Sequence, residues 1–206
     1  MTAALMLAAG SSNRMEGKDK CLELVENRPC IAVLAERAQR ADLDLKVVVP
    51  DFFHPRAKIL TGIDLVESPR ASSGMASSLQ VGIGALPRQT NSVVIMLADM
   101  PDITTQDLRK IVQVHKESQK GIVQAATHAG TPGHPVLFSR KYFRDLKSLT
   151  GDYGAKKVII MHEHDRILVP LADDRARIDL DTPEAWLEWR RTQQINKVPD
   201  KPVLTS

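Results

Sequence analysis

The sequence predicts an α/β domain with a Rossmann-like, mostly parallel sheet in a three-layer arrangement. Apolar segments of strand length recur at Ala3 to Ala8, Leu45 to Val49, Ile63 to Val66, Val93 to Ala98 and Ile122 to Ala126. Each is rich in Val, Ile or Leu with little polar alternation, as strands covered on both faces tend to be. Segments with helical periodicity separate them. Strands that alternate with helices build a parallel sheet with helices packed on its faces.

The helices follow in order. Ile31, Leu34, Ala35 and Ala38 keep the i, i+3, i+4, i+7 spacing just after Pro29, a residue suited to an early helix position. A helix after Gly74 carries Met75, Leu79, Ile83 and Leu86 on one face. Leu108, Ile111, Val112 and His115 mark another, and Thr104 with Asp107 forms an acidic version of a capping box. From Pro135 the pattern is less regular. It predicts a short strand at Val136 to Phe138, helices near Arg140 to Leu149 and after Gly154, and strands near Ile167 to Pro170 and Arg177 to Leu180. Thr182-Pro183 then reads as an N-cap and first helical position, opening a last helix with Trp186 and Trp189. The domain is expected to span 1–194, with a disordered tail over 195–206.

The 206 residues suffice for one domain with a sizeable core. The net charge of +3 is dispersed and aromatics make up 4%, which argues against a nucleic-acid surface but leaves small anionic ligands open. Cys21 and Cys30 form neither a C-x-x-C pair nor a disulfide framework, so a reduced, cytoplasmic chain is expected. No stretch approaches the ~20 apolar residues of a membrane span, and no signal peptide is expected.

Three loops carry candidate chemistry. "LAAGSSNRMEGKDK" follows the first predicted strand, and ligands of open α/β sheets bind beyond the carboxyl ends of strands. Its small residues and amide groups, with Arg14 and Lys20, suit phosphate oxygens; the residues alone equally allow an ordinary strand-to-helix connection. It is neither a Walker A motif nor a dinucleotide fingerprint. Asp99 ends a strongly apolar strand, where an acid is costly unless it is paired, binds a cation or caps a turn. Asp179 and Asp181 are two apart, so on a strand they share a face, and paired carboxylates favour a hard cation such as Mg2+. Asp181 can equally be a residue preceding the helix cap. His162-Glu163-His164 reads as a solvated helix end, since residues two apart do not share a helix face.

These loops, in this order, resemble the MobA/MocA-like nucleotidyltransferase family, closest to the molybdenum cofactor cytidylyltransferases. Leu7, Ala8, Ala9, Gly10, Ser12, Arg14, Met15 and Lys20 match the signature L-A-[AG]-G-x-S-x-R-M-G with its following Lys, except that Glu16 stands where the second Gly is usual. Asp99-Met100-Pro101 matches L-[AG]-D-M-P, and Asp179 to Pro183 matches D-x-D-T-P. Pro69, Gly74, Met75, Ser77, Ser78 and Leu79 match a base and ribose element, with Ser68 in place of Asn. Gly133-His134-Pro135 and Gly151, Asp152, Gly154 and Ala155 match two acceptor-side elements, with Lys156 where Arg is usual.

The resemblance implies a fold of the nucleotide-diphospho-sugar transferase type, with a nucleotide half up to about Pro101. It implies Mg2+-dependent transfer of CMP from CTP to molybdopterin or molybdenum cofactor, releasing pyrophosphate. Arg14 and Lys20 would hold the triphosphate. Asp99 and Asp179 would hold the metal, with Asp181 in reserve. Leu7, Ala8, Ala9, Gly10, Ser12, Ser68, Pro69, Gly74 and Ser77 would line the nucleotide site, and Gly133, His134, Pro135, Asp152 and Gly154 the acceptor site. A molybdoenzyme would receive the product. Ala8-Ala9-Gly10 favours CTP, whereas "GKDK" echoes the GTP-using branch. The other readings are a guanylyltransferase on the same cofactor, a cytidylyltransferase of a sugar or polyol phosphate, and a protein that binds or inserts the finished cofactor.

Overall fold

The computed structural model describes residues 1–151 and 154–195. Asp152 and residues 196–206 of the expected tail lie outside the described residues, and Ile195, expected to open that tail, instead closes the last helix. In chain order the strands are β1 (Thr2–Leu7), β2 (Leu24–Val25), β3 (Arg28–Pro29), β4 (Asp44–Val49), β5 (Asp64–Glu67), β6 (Ser92–Leu97), β7 (Ile122–Ala126), β8 (Pro132–Ser139) and β9 (Arg166–Pro170). The α-helices are α1 (Cys30–Arg40), α2 (Pro55–Ile59), α3 (Met75–Gly84), α4 (Thr105–Ser118), α5 (Phe143–Lys147), α6 (Lys156–Met161) and α7 (Pro183–Ile195).

Seven strands form one sheet in the order β5-β4-β1-β6-β8-β7-β9, and β8 alone runs against its neighbours. The alternation of side chains along β1 divides the core. Ala4 and Met6 pack with α1, α4 and Trp186 of α7, while Ala3 and Leu5 pack with α3, α5 and α6 on the other face. This is the expected α/β arrangement, layered helix, sheet, helix.

The apolar segments became strands within a residue or two, and Thr104 and Asp107 make the reciprocal capping box. Thr182 Oγ1 accepts from the Ala185 amide at 3.2 Å, so the last helix starts as its sequence implies. The differences lie where periodicity is weak. Leu86 falls past the end of α3, and Met75, which is 40% exposed, faces a cavity rather than the core. The short strand expected at Val136 to Phe138 extends from Pro132 to Ser139, because both β6 and β7 pair with it. The helix near Arg140 to Leu149 is a 3-10 turn followed by only five α-helical residues. Arg177 to Leu180 is not a strand at all. Its neighbours β6 and β7 already have partners on both sides, so the segment crosses the end of the sheet instead.

Candidate active site

Three adjoining cavities line the carboxyl ends of β1 and β6. The first, of about 1030 Å3, is bounded by Ala9, Gly10 and Ser12 of the opening loop and by Ser68 and Pro69. The second, of about 480 Å3, gathers Leu7, Ala8, Arg14, Lys20, Gly74, Asp99, Asp179 and Asp181. The third, of about 560 Å3, is lined by Gly133, His134, Gly154 and Lys156. Gly10 belongs to the first two, and Asp179 to the last two, so the three form one cleft.

Its centre is an ion-pair cluster. Lys20 Nζ lies 2.5 Å from Asp99 Oδ2 and 2.6 Å from Asp181 Oδ1, and Arg14 pairs with the other oxygen of Asp181. Burial would lower the Lys20 pKa, but the two carboxylates outweigh it and hold the ammonium above the ordinary lysine value. Lys20 is therefore charged at neutral pH. Asp99 is 6% exposed, and its Oδ1 is buried with no hydrogen-bond partner among the described residues. A buried carboxylate oxygen left unpaired is costly, so this atom suits a ligand or a cation. Asp179 makes no ion pair among the described residues, whereas both oxygens of Asp181 are taken. No group of three or more acidic, His or Cys side chains poised for a metal occurs among the described residues.

The expectation that Asp179 and Asp181 share one face of a strand is thus corrected, since they sit on an irregular segment. What fixes that segment is its anchoring. The Leu180 amide donates to the Asp99 carbonyl at 3.1 Å, and the indole of the fully buried Trp186 donates to the Leu180 carbonyl at 3.0 Å. Gly133 lies beneath its upstream part: a Cβ there would stand 1.9 Å from the Ala176 carbonyl oxygen. The neighbouring His134 amide donates to that same oxygen at 2.7 Å.

Arg56 of α2, which composition and spacing did not single out, organises the opening loop. The residue is 3% exposed. Its guanidinium donates to the Ala8 carbonyl at 2.5 Å, the Gly10 carbonyl at 2.8 Å, Ser12 Oγ at 3.1 Å and Asp19 Oδ2 at 2.7 Å. Ser12 is correspondingly engaged within the loop, accepting also from the Lys20 amide at 3.2 Å. Arg37 does similar work for the loop after Asp99, donating to the carbonyls of Pro101 and Ile103 at 2.5 and 2.9 Å. Neither arginine sits in a local motif that could have revealed it.

Other expected residues fare differently. Ser77 lines none of the three cavities; its hydroxyl donates to the Arg70 and Gly74 carbonyls, and it is Ser78 that faces the central cavity. Pro135 is buried in β8 and does not line the acceptor-side cavity. Gly74 has φ +102°, a backbone conformation only glycine adopts readily, and it lets α3 begin at the cleft. Glu16 occupies the left-handed region at φ +51°, followed by Gly17 at +83°. Its exposed side chain lines none of the cavities. Arg166 and Arg177 add two cations to the acceptor-side cavity that the sequence reading did not place there. Burial holds the His134 imidazole below the usual histidine pKa, against the opposing pull of Asp99 and Asp179.

A glycine-bearing loop after β1, an acid ending β6 and a cleft across both are the arrangement of a nucleotidyltransferase, and the comparisons with known proteins agree. The chain belongs to the family of the MobA-like NTP transferase domain, whose profile matches residues 4–167. It is 24% identical over 134 residues to the molybdenum cofactor cytidylyltransferase of Escherichia coli, covering 65% of this chain and 66% of that protein. It is 26% identical over 187 residues to the molybdenum cofactor guanylyltransferase of Vibrio parahaemolyticus, covering 89% and 92%. Among solved structures, Rv0371c of Mycobacterium tuberculosis superposes with a TM-score of 0.79 at 28% identity, covering 94% of this chain and 97% of that one. A complex of Rv0371c with manganese superposes at 0.73, with 25% identity and the same coverage.

Proposed function

We propose that the protein transfers CMP from CTP to the terminal phosphate of molybdopterin or molybdenum cofactor, with release of pyrophosphate. The observation that carries this reading is Asp99, buried at the end of β6 with Lys20 on one oxygen and, among the described residues, no partner on the other. The acceptor phosphate is itself the nucleophile, so the protein needs no nucleophilic side chain; it contributes alignment and neutralisation of charge. Arg14 and Lys20 meet the triphosphate and the charge of departing pyrophosphate. Lys156, Arg166 and Arg177 set a cationic rim on the acceptor side, where His134 stays neutral and able to accept or donate a hydrogen bond.

The residues present fit a divalent cation. The orphaned Asp99 Oδ1 and the unpaired carboxylate of Asp179 lie in the same cavity, and an all-oxygen donor set suits Mg2+. Asp99 and Asp179 would hold it, with Asp181 in reserve, and a bound cation would neutralise phosphate charge there. CTP is favoured by Ala8-Ala9-Gly10 and by the Gly133-His134-Pro135 element. GTP is the second reading, supported by the longer match to a guanylyltransferase.

The test is pyrophosphate release by purified protein with Mg2+ and fresh molybdenum cofactor, comparing CTP, GTP, ATP and UTP. Release with CTP alone supports both reaction and base; release with GTP alone moves the protein to the guanylyl branch. Asp99→Asn should abolish turnover in folded protein, and unchanged turnover would remove Asp99 from the site. Lys20→Ala should cost about a hundredfold or more in kcat if the ammonium meets transition-state charge. A loss below threefold would exclude that role.

A further inference from the structure

A second, strongly basic cavity lies at the opposite end of the sheet. It measures about 560 Å3, with Arg88, Arg140, Arg144 and Lys147 among its lining residues and Leu86 and Phe143 as apolar surface. β6 begins and β8 ends beside it, with Ser92 paired to Ser139, whereas the cleft opens past Leu97. No Asp or Glu lines it. Two acids of neighbouring segments are paired elsewhere: Asp145 lies 2.9 Å from His162, and Asp165 lies 2.7 Å from Lys141. Four positive charges in one pocket exceed the net +3 of the entire chain.

The four cationic residues are exposed, and like charges gathered on one concave surface favour a multivalent anion that offsets their mutual repulsion. Part of the array is already set in place. Arg140 Nη1 donates to the Thr90 carbonyl at 2.8 Å, and its guanidinium stands 5.9 Å from the centroid of the Phe143 ring. A concave volume of this size suits a small molecule better than a flat protein surface, and guanidinium forks match phosphate oxygens.

We propose that this pocket binds a small multivalent phosphate, either free polyphosphate or the phosphate tail of a nucleotide, as an anion site separate from the cleft. It stands whichever nucleotide the cleft uses. A single helix connects the two places: α3 begins at Met75, which lines the cleft, and ends at Gly84, which lines the pocket.

Tripolyphosphate is titrated calorimetrically into metal-free protein at low salt. Three forms are compared: wild type, Arg144→Ala/Lys147→Ala, and Lys20→Ala, which removes the half-buried cation of the cleft. Circular dichroism confirms the fold, and the two residues of the double variant are exposed. The double variant should lose about tenfold or more in pocket affinity, since two charge-assisted contacts disappear. Lys20→Ala should keep the pocket isotherm, and that isotherm should weaken as salt rises. With Lys20→Ala, ATP that binds as tripolyphosphate does identifies a nucleotide tail; binding of tripolyphosphate alone identifies free polyphosphate. The proposal is overturned if the double variant binds as wild type does, if Lys20→Ala abolishes all binding, or if neither probe binds.

Discussion

Arg56→Ala isolates what one buried side chain does for the opening loop. The substitution removes four hydrogen bonds, to the Ala8 and Gly10 carbonyls, to Ser12 Oγ and to the Asp19 carboxylate. It leaves buried acceptors without a donor and Asp19 without its cation. Bonds that involve a charged group contribute about 1.5–3 kcal/mol each, but four from one guanidinium are not additive. Breaking a buried pair by deleting one partner costs about 3–5 kcal/mol, which is the value to expect here. In a domain of this size each kcal/mol shifts Tm by about 2–4 °C, so the variant should melt roughly 10 °C lower and remain folded at room temperature. The loop then has to be ordered by the ligand. Fixing even one further residue costs about 1–2 kcal/mol, so KM for the nucleotide should rise about tenfold. Arg56→Lys should recover little, because an ammonium cannot reach four acceptors set around a planar fork. Urea denaturation and initial rates at varied nucleotide measure both effects. A loss under 1 kcal/mol with KM unchanged would refute the assignment of Arg56 as the organiser of the loop.

Gly133→Ala places a methyl 1.9 Å from the Ala176 carbonyl oxygen, so backbone must move, and a destabilisation of about 1–3 kcal/mol is expected in chemical denaturation. An unchanged midpoint would show that the segment over β8 yields freely. Asp165 gives a pH signature. Burial alone would raise its pKa, but Lys141, the Tyr142 hydroxyl and the Gly121 amide outweigh that and hold it at about 2. A depressed folded pKa means that the carboxylate's stabilisation is present above the ordinary value near 4 and is lost as pH falls toward 2. The stability gap between wild type and Asp165→Asn should accordingly be wide at pH 6 and close on acidification; a gap independent of pH would contradict the shift. Glu16→Gly relieves a left-handed residue, φ +51°, worth about 1–2 kcal/mol, against about 0.5–1 kcal/mol of added chain entropy. Thermal melting should show a small gain, and a loss would mean that the Glu16 side chain makes a stabilising contact.

The strands that carry the cleft were legible because each buries both faces and has no room for polar alternation; Ile122–Ala126 coincides with its apolar segment. That the opening loop and Asp99 would lie at a cleft was legible because open α/β sheets form their clefts beyond the carboxyl ends of the strands. Arg177 to Leu180 was not. Apolar residues interleaved with charges satisfy a strand pattern locally, but pairing depends on a free neighbour, and β6 already has β1 on one side and β8 on the other. Arg56 was hidden for a related reason. Its acceptors lie 37 to 48 residues away, so no periodicity links them, and a lone Arg in a Pro-Arg-Ala-Lys stretch looks like solvated surface. Ser77 and Ser78 differ only in which of two adjacent hydroxyls turns to the cleft, which the helix phase after Gly74 decides.

The charge balance of the central cavity bears on why a cation belongs to the proposed chemistry. Arg56 is matched by Asp19, outside the cavity, and by carbonyls. That leaves Arg14 and Lys20 against Asp99, Asp179 and Asp181, two positive charges against three negative, a balance of −1. A triphosphate entering a region of that sign meets two cations already committed to carboxylates, Lys20 to both Asp99 and Asp181. Lys20 cannot turn to phosphate without leaving two buried or half-buried carboxylates exposed to one another, a cost that grows in low dielectric. A divalent cation on Asp99 and Asp179 would change the balance from −1 to +1 and free the ammonium. On this reasoning nucleotide and metal bind cooperatively, and a metal-free titration with CTP should be far weaker than one with Mg2+ present.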